Sequence, residues 1–170
     1  MPDEVVSMAA GTKYERQYLA HFIDTSFGGT ANFARLGQDL EDYSIELNPD
    51  VETKKNILGE QSVNVKGFEP QGSVSTYYAY KGDALFDKLY QIITSRSTGS
   101  SLETTVIDAL IEPNSQNPLN VASAYETAVV VVPQSMGGAD GIQIPFDIYY
   151  KGKPTAVTGT IASGVFTKSA

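Results

Sequence analysis

At 170 residues, 41% hydrophobic and 19% charged, the chain is long enough for one domain with its own core and too apolar for a disordered segment. It has no cysteine, which excludes disulfides, thiolate metal sites and a cysteine nucleophile. A net charge of -8 argues against binding nucleic acid by neutralising phosphate, and the longest apolar run, "AVVVV" at 128–132, is far too short to cross a membrane.

In chain order, residues 1–18 are polar and weakly periodic, and read as an arm. They begin with acidic Asp3 and Glu4 and lack an apolar signal core, so the expectation is a soluble chain kept in the cytoplasm of its producer. "LAHFID" starts a first strand, and "TSFGGTAN" is a turn-rich loop. Tyr43, Ile45 and Leu47 alternate with Ser44, Glu46 and Asn48, the period of a half-buried strand. Val63 and Val65 alternate with Asn64 and Lys66 in a second, and "SVSTYYAY" reads as a third.

One helix is predicted, over about 82–97. Leu85, Phe86, Leu89, Ile92 and Ile93 fall at i, i+1, i+4, i+7 and i+8, one face of a helix. Gly82 or Asp83 caps its start, Arg96 lies in its last turn, and Gly99 stands just beyond as a stop. Strands then resume. "ETTVIDALIE" is followed by a loop, "YETAVVVVP" carries a valine run expected to be buried on both faces, and Ile142, Ile144, Phe146 and Ile148 alternate beside Pro145. "KGKP" reads as a turn, and "TAVTGTIASGVFT" as the closing strand. Roughly eight strands and one helix predict a mainly β fold: two packed antiparallel sheets forming a sandwich or partly closed barrel, with the helix on one side. The predicted layout is the arm, then one domain over 19–170 with a hairpin at 48–60 projecting from it.

Residues with catalytic chemistry are sparse. The single histidine, His21, lies in "AHFID" and reads as a strand residue; no Gly-x-Ser-x-Gly elbow accompanies it. Zinc would need several His or Cys ligands. The 20 acids include no pair in a tryptophan-lined pocket, because the chain has no Trp. "GGADG" is one turn without periodic partners, and "SFGGTAN" lacks the Gly-Lys-Ser/Thr of a phosphate loop. No residue is assigned a catalytic, cofactor-binding or metal role, and the reading is of a protein that is not an enzyme. The tyrosines leave open a monomeric carbohydrate- or ligand-binding β-sandwich as a second class.

What remains is shape and charge. "NPDVETKKNILGE", residues 48–60, either separates two strands by more than the usual two to five residues or extends them outward to a tight turn at Leu58–Gly59–Glu60. Val51, Ile57 and Leu58 could fill a partner's pocket, while Lys54, Lys55, Glu52 and Glu60 could pair across its rim. From 39 to 52 the chain carries Asp39, Glu41, Asp42, Glu46, Asp50 and Glu52 with no basic residue between them. Such a run is either a solvated face or a surface that repels a polyanion.

The stretch 35–93, and within it "NPDVETKKNILGE", "VKGFEP" and "GDALFDKL", resembles the central part of the major tail tube proteins of long-tailed bacteriophages. That resemblance implies two packed sheets with a flanking helix, hexameric rings, and rings stacked into the tube through which DNA leaves the capsid. It implies that 48–60 links subunits or rings, through Val51, Lys54, Lys55, Ile57, Leu58 and Glu60, and that an acidic channel draws on Asp39, Glu41, Asp42 and Glu46. The partners implied are further copies of the chain together with tape measure, tail initiator or baseplate, and terminator proteins, in a virion tail assembled in the host cytoplasm. The inner tube of a contractile tail or tail-like particle is a close variant. No cofactor is implied.

Overall fold

A computed structural model describes residues 8–37, 40, 42–75, 77–113 and 119–169. Its strands are β1 (Leu19–Asp24), β2 (Phe33–Leu36), β3 (Ile45–Glu46), β4 (Pro49–Lys55), β5 (Gln61–Phe68), β6 (Gln71–Val74), β7 (Glu103–Ile111), β8 (Val121–Pro133), β9 (Phe146–Val157), β10 (Gly159–Ala162) and β11 (Val165–Lys168). One α-helix, α1 (Ala84–Ser95), interrupts them. All strand pairs are antiparallel. Nine strands form one sheet in the order β10-β11-β2-β1-β7-β8-β9-β6-β3, and β4 and β5 form a second, two-stranded sheet. The fold is therefore mainly β with one helix and two antiparallel sheets, and the large sheet is not a closed barrel.

The large sheet carries a core on each face. In β1, Ile23 faces a cluster with Leu36, Val74, Val106, Val129, Phe146 and Ile148, onto which α1 lays Leu85 and Leu89. Its neighbours Ala20 and Phe22 face the opposite cluster, with Phe33, Ile107, Ala109, Ile161 and Phe166. Successive side chains of a strand point to opposite faces, so β1 and β7 are buried on both. This is why "LAHFID" and "VIDALI" read as nearly continuous apolar runs.

The valine run of β8 behaves differently from the expectation. Val129 and Val131 are fully buried, but Val130 and Val132 are only half-buried and Ala128 is exposed. With 13 residues, β8 is about 43 Å long at 3.3 Å per residue, and the two cores draw on different points along it. Ala124 belongs to one core and Val129 to the other.

Helix α1 starts where expected. Asp83 is the N-cap, its side chain accepting from Leu85 N at 3.1 Å, and Leu85, Leu89 and Ile92 face the sheet. It also ends close to the expected 97: Arg96 takes the left-handed conformation, φ 53°, and closes the last turn. Three other local readings change. "SVSTYYAY" is strand only as far as Val74; beyond it Tyr78 makes a single bridge to Gln143. "KGKP" is a bulge inside β9, with Gly152 at φ 68°, because the β8–β9 register shifts there without the chain reversing. The closing stretch is split between the end of β9 and the β10–β11 hairpin, whose turn places Ser163 and Gly164 at positive φ.

Candidate functional site

The hairpin departs most from the expectation. Residues 49–55 are not a connection between strands but are themselves strand β4, paired with β5 from Pro49↔Phe68 to Lys55↔Gln61. "YSIEL" and "SVNVKGF", taken as the flanking pair, belong to different sheets: β3 pairs with β6, and β5 with β4. The hairpin thus runs over 49–68 and leaves the large sheet at its β3–β6 edge. Asn48, at φ 43°, turns the chain outward and donates from Nδ2 to Glu69 O at 3.1 Å.

The tip is built by Asn56. Its Oδ1 accepts from Leu58 N at 2.9 Å and Glu60 N at 3.0 Å, and its Nδ2 donates to Glu60 Oε2 at 2.6 Å. Gly59 supplies the positive φ, 81°, that closes the turn. These bonds fix the backbone and leave Ile57 and Leu58 pointing outward, 102% and 78% exposed.

The two faces of the hairpin differ in chemistry. In the Val51↔Val65 and Thr53↔Val63 pairs, and at Pro49↔Phe68 beyond the bulge between Asp50 and Val51, one face is almost wholly apolar. Val51, Val63, Val65 and Phe68 on it are 49–63% exposed. The other face holds Glu52 between Lys54 at 3.3 Å and Lys66 at 3.4 Å. Val63, Val65 and Phe68 add to the expected contact residues, because the alternation of Val63 and Val65 by itself predicts only a half-buried strand. The alternation was real, but the opposing layer belongs to no other part of the described chain. Lys55 and Glu60, flanking the tip's apolar pair, are exposed; Asp42 is exposed, and Glu46 is exposed on β3 beside the hairpin base. Asp39 and Glu41 lie outside the described residues.

The one histidine sits in a buried polar knot. His21 Nδ1 is 2.5 Å from Asp108 Oδ1, and its Nε2 is 3.1 Å from Arg16 Nη2. Arginine can only donate, so Nε2 is the accepting nitrogen and Nδ1–H donates to Asp108. The ring atom that a general base would use is therefore already occupied. Arg16 also donates to Tyr43 O at 2.8 Å and Leu19 O at 2.6 Å, pinning the end of the predicted arm onto the sheet. Tyr43 stacks edge-on against His21 and shares a 2.7 Å hydroxyl contact with Tyr150. Burial, foremost, pushes both phenols well above the ordinary tyrosine range, and Asp108 nearby adds to it. Tyr77 is raised as well, by burial and then by its hydrogen bond to Asp83. Burial and these hydrogen bonds hold the three tyrosines within the fold.

Among the described residues, no group of three His, Asp or Glu side chains could hold a metal ion, and no helix is long and apolar enough to cross a membrane.

No protein-family model and no curated protein matches the chain. Among solved structures it is similar to a chain in the sheath/tube terminator of an extracellular contractile injection system, PVC, in its extended state, with a TM-score of 0.55 and 8% identity over 88% of this chain and 100% of that one. It is also similar to the tube-terminating cap of the anti-feeding prophage, with a TM-score of 0.55 and 11% identity over 93% of this chain and 99% of that one. At these identities the likeness is one of fold.

Proposed function

We propose that the chain is a structural subunit of a phage-tail-like particle, one that builds or caps the tail tube by associating with copies of itself. The observation that carries this is the apolar face of the β4–β5 hairpin, held outside the domain with Val51, Val63, Val65 and Phe68 in solvent. A two-stranded hairpin is marginal on its own, and an exposed apolar face of this kind marks a contact surface. The sequence resemblance over 35–93 and the fold shared with two tube-terminator structures support the same reading.

In this reading neighbouring copies close into rings, hexameric as in the tail tube family, and the hairpin crosses from one copy to the next. Stacked rings make a conduit for DNA, with Asp42, Glu46, Asp39 and Glu41 lending the channel its negative charge. Such a wall repels phosphate only within the Debye length, ~8 Å at physiological salt, so the cargo passes without being bound. Tape measure, initiator or baseplate, and terminator proteins are the partners at the ends. The structural neighbours favour a second form of the same role, a ring that closes a tube rather than a subunit repeated along it.

Negative-stain microscopy of the purified protein tests both. Open tubes of stacked rings identify a repeating subunit; single rings that seat on tube ends identify a cap. Ile57→Asp should abolish either assembly while leaving the monomer folded. A wild-type protein that stays monomeric at every concentration, with a tail initiator present, overturns the proposal.

A further inference from the structure

A second apolar surface lies where the last turn of α1 meets the end of β8. A groove of about 520 Å³ opens there, lined by Ile93, Leu102, Val132, Pro133 and Met136 together with Arg96. Met136 is 44% exposed, and Ile93, Leu102, Val132 and Pro133 are half-buried, so apolar side chains open to solvent make up part of the lining, beside Ser97, Gln134 and Ser135. Arg96 is held there at a conformational cost. It ends the helix in the left-handed region, which glycine adopts freely and arginine does not, although Gly99 stands only three residues on. Its Nη1 donates to Ile93 O at 2.7 Å, which fixes the guanidinium over the groove, and among the described residues it makes no ion pair.

The hairpin tip has the complementary features. Ile57 and Leu58 project from a turn that hydrogen bonds hold rigid, and Glu60 beside them has no cationic partner among the described residues. The tip does not enter the groove of its own chain, because Ile57 is 102% exposed. A tip that enters it therefore belongs to another copy, and the seven residues of β4 carry the tip about 23 Å from the domain at 3.3 Å per residue.

We infer that the groove at the end of α1 receives the hairpin tip of the next copy, with Ile57 entering among Ile93, Val132 and Met136 and Glu60 pairing with Arg96. This rests on the self-association proposed above and specifies its acceptor. The contact is head-to-tail, one patch against a different one, the kind that closes rings or runs on as a helix. Met136 suits the acceptor role, since an unbranched thioether adapts its shape to an incoming side chain.

The absence of native cysteine makes the test clean. Protein carrying Ile57→Cys is mixed with protein carrying Met136→Cys and oxidised. A disulfide-linked dimer should form in the mixture and in neither component alone. Separately, Glu60→Arg and Arg96→Glu should each raise the concentration needed for assembly by about tenfold or more, and the double variant should restore it. Rings or tubes without the cross-link and without rescue overturn the groove assignment and leave self-association standing. Cross-linking of Ile57→Cys to itself also overturns it, in favour of a tip-to-tip contact. A wild-type chain that never assembles removes both.

Discussion

At the scale of single residues, the His21 cluster separates structure from chemistry. A histidine 2.5 Å from an aspartate is the beginning of a catalytic arrangement, but Arg16 on the other ring nitrogen makes it a strut. The same cluster sets a pH limit. Burial keeps Tyr43 and Tyr150 neutral in the folded chain to a pH at which the unfolded chain has already ionised them, near about 10. Above that pH the unfolded state holds fewer protons than the folded one, so stability falls as pH rises, by about 1.4 kcal/mol per pH unit for each tyrosine. Below it the contribution is complete. Denaturant midpoints measured from about pH 9 to 11 should show this decline, and Tyr43→Phe combined with Tyr150→Phe should make it shallower, leaving the share that Tyr77 contributes. An unchanged slope in the double variant would mean that neither phenol is held neutral by the fold.

At the scale of elements, legibility followed how locally each signal is written. Helix α1 was plain, because an Asp N-cap and a 3.6-residue apolar period both lie within a dozen residues. Its end, expected near 97, falls at Ser95, with Arg96 rather than Gly99 in the left-handed position. The strands were visible as alternation, but which strand pairs with which is not a local property. So β4 reads as a loop or as an outward extension of its neighbours: its alternation of Val51 with charged residues is short, and nothing local marks β5 as its partner. For the same reason exposure was invisible. Val65 and Leu89 look alike in a sequence, but one is 50% exposed and the other wholly buried. The consequence is measurable. Leu89→Ala should cost about 2–5 kcal/mol, the transfer of its side chain plus a cavity under α1. Val65→Thr combined with Val63→Thr keeps the β-branched shape and should change monomer stability by no more than about 0.5 kcal/mol while weakening assembly. Urea unfolding and sedimentation of the same samples would read both. A large loss of monomer stability in the valine variant would show that the hairpin face packs within its own chain.

At the scale of the whole molecule, charge decides what assembly must overcome. Each copy carries a net charge of -8, and the described ion pairs lie within one chain, as in Lys151–Glu103 at 2.6 Å and Lys168–Glu126 at 2.9 Å, so they leave that excess in place. Bringing copies side by side therefore costs repulsion that grows with every subunit in a ring, while the exposed apolar face supplies an attraction that salt barely alters. Salt should then favour assembly. Raising the ionic strength from about 0.01 M to 0.15 M shortens the Debye length from about 30 Å to 8 Å and screens most of the repulsion between neighbours. A single Glu60–Arg96 pair per contact would be weakened by the same change, but it is one attraction set against many like charges. The concentration needed for ring or tube formation, followed by light scattering, should accordingly fall as salt is added. A rise instead would show that ion pairs across the contact outweigh the net charge, and would move the driving force from the apolar hairpin face to its charged one, Glu52, Lys54 and Lys66.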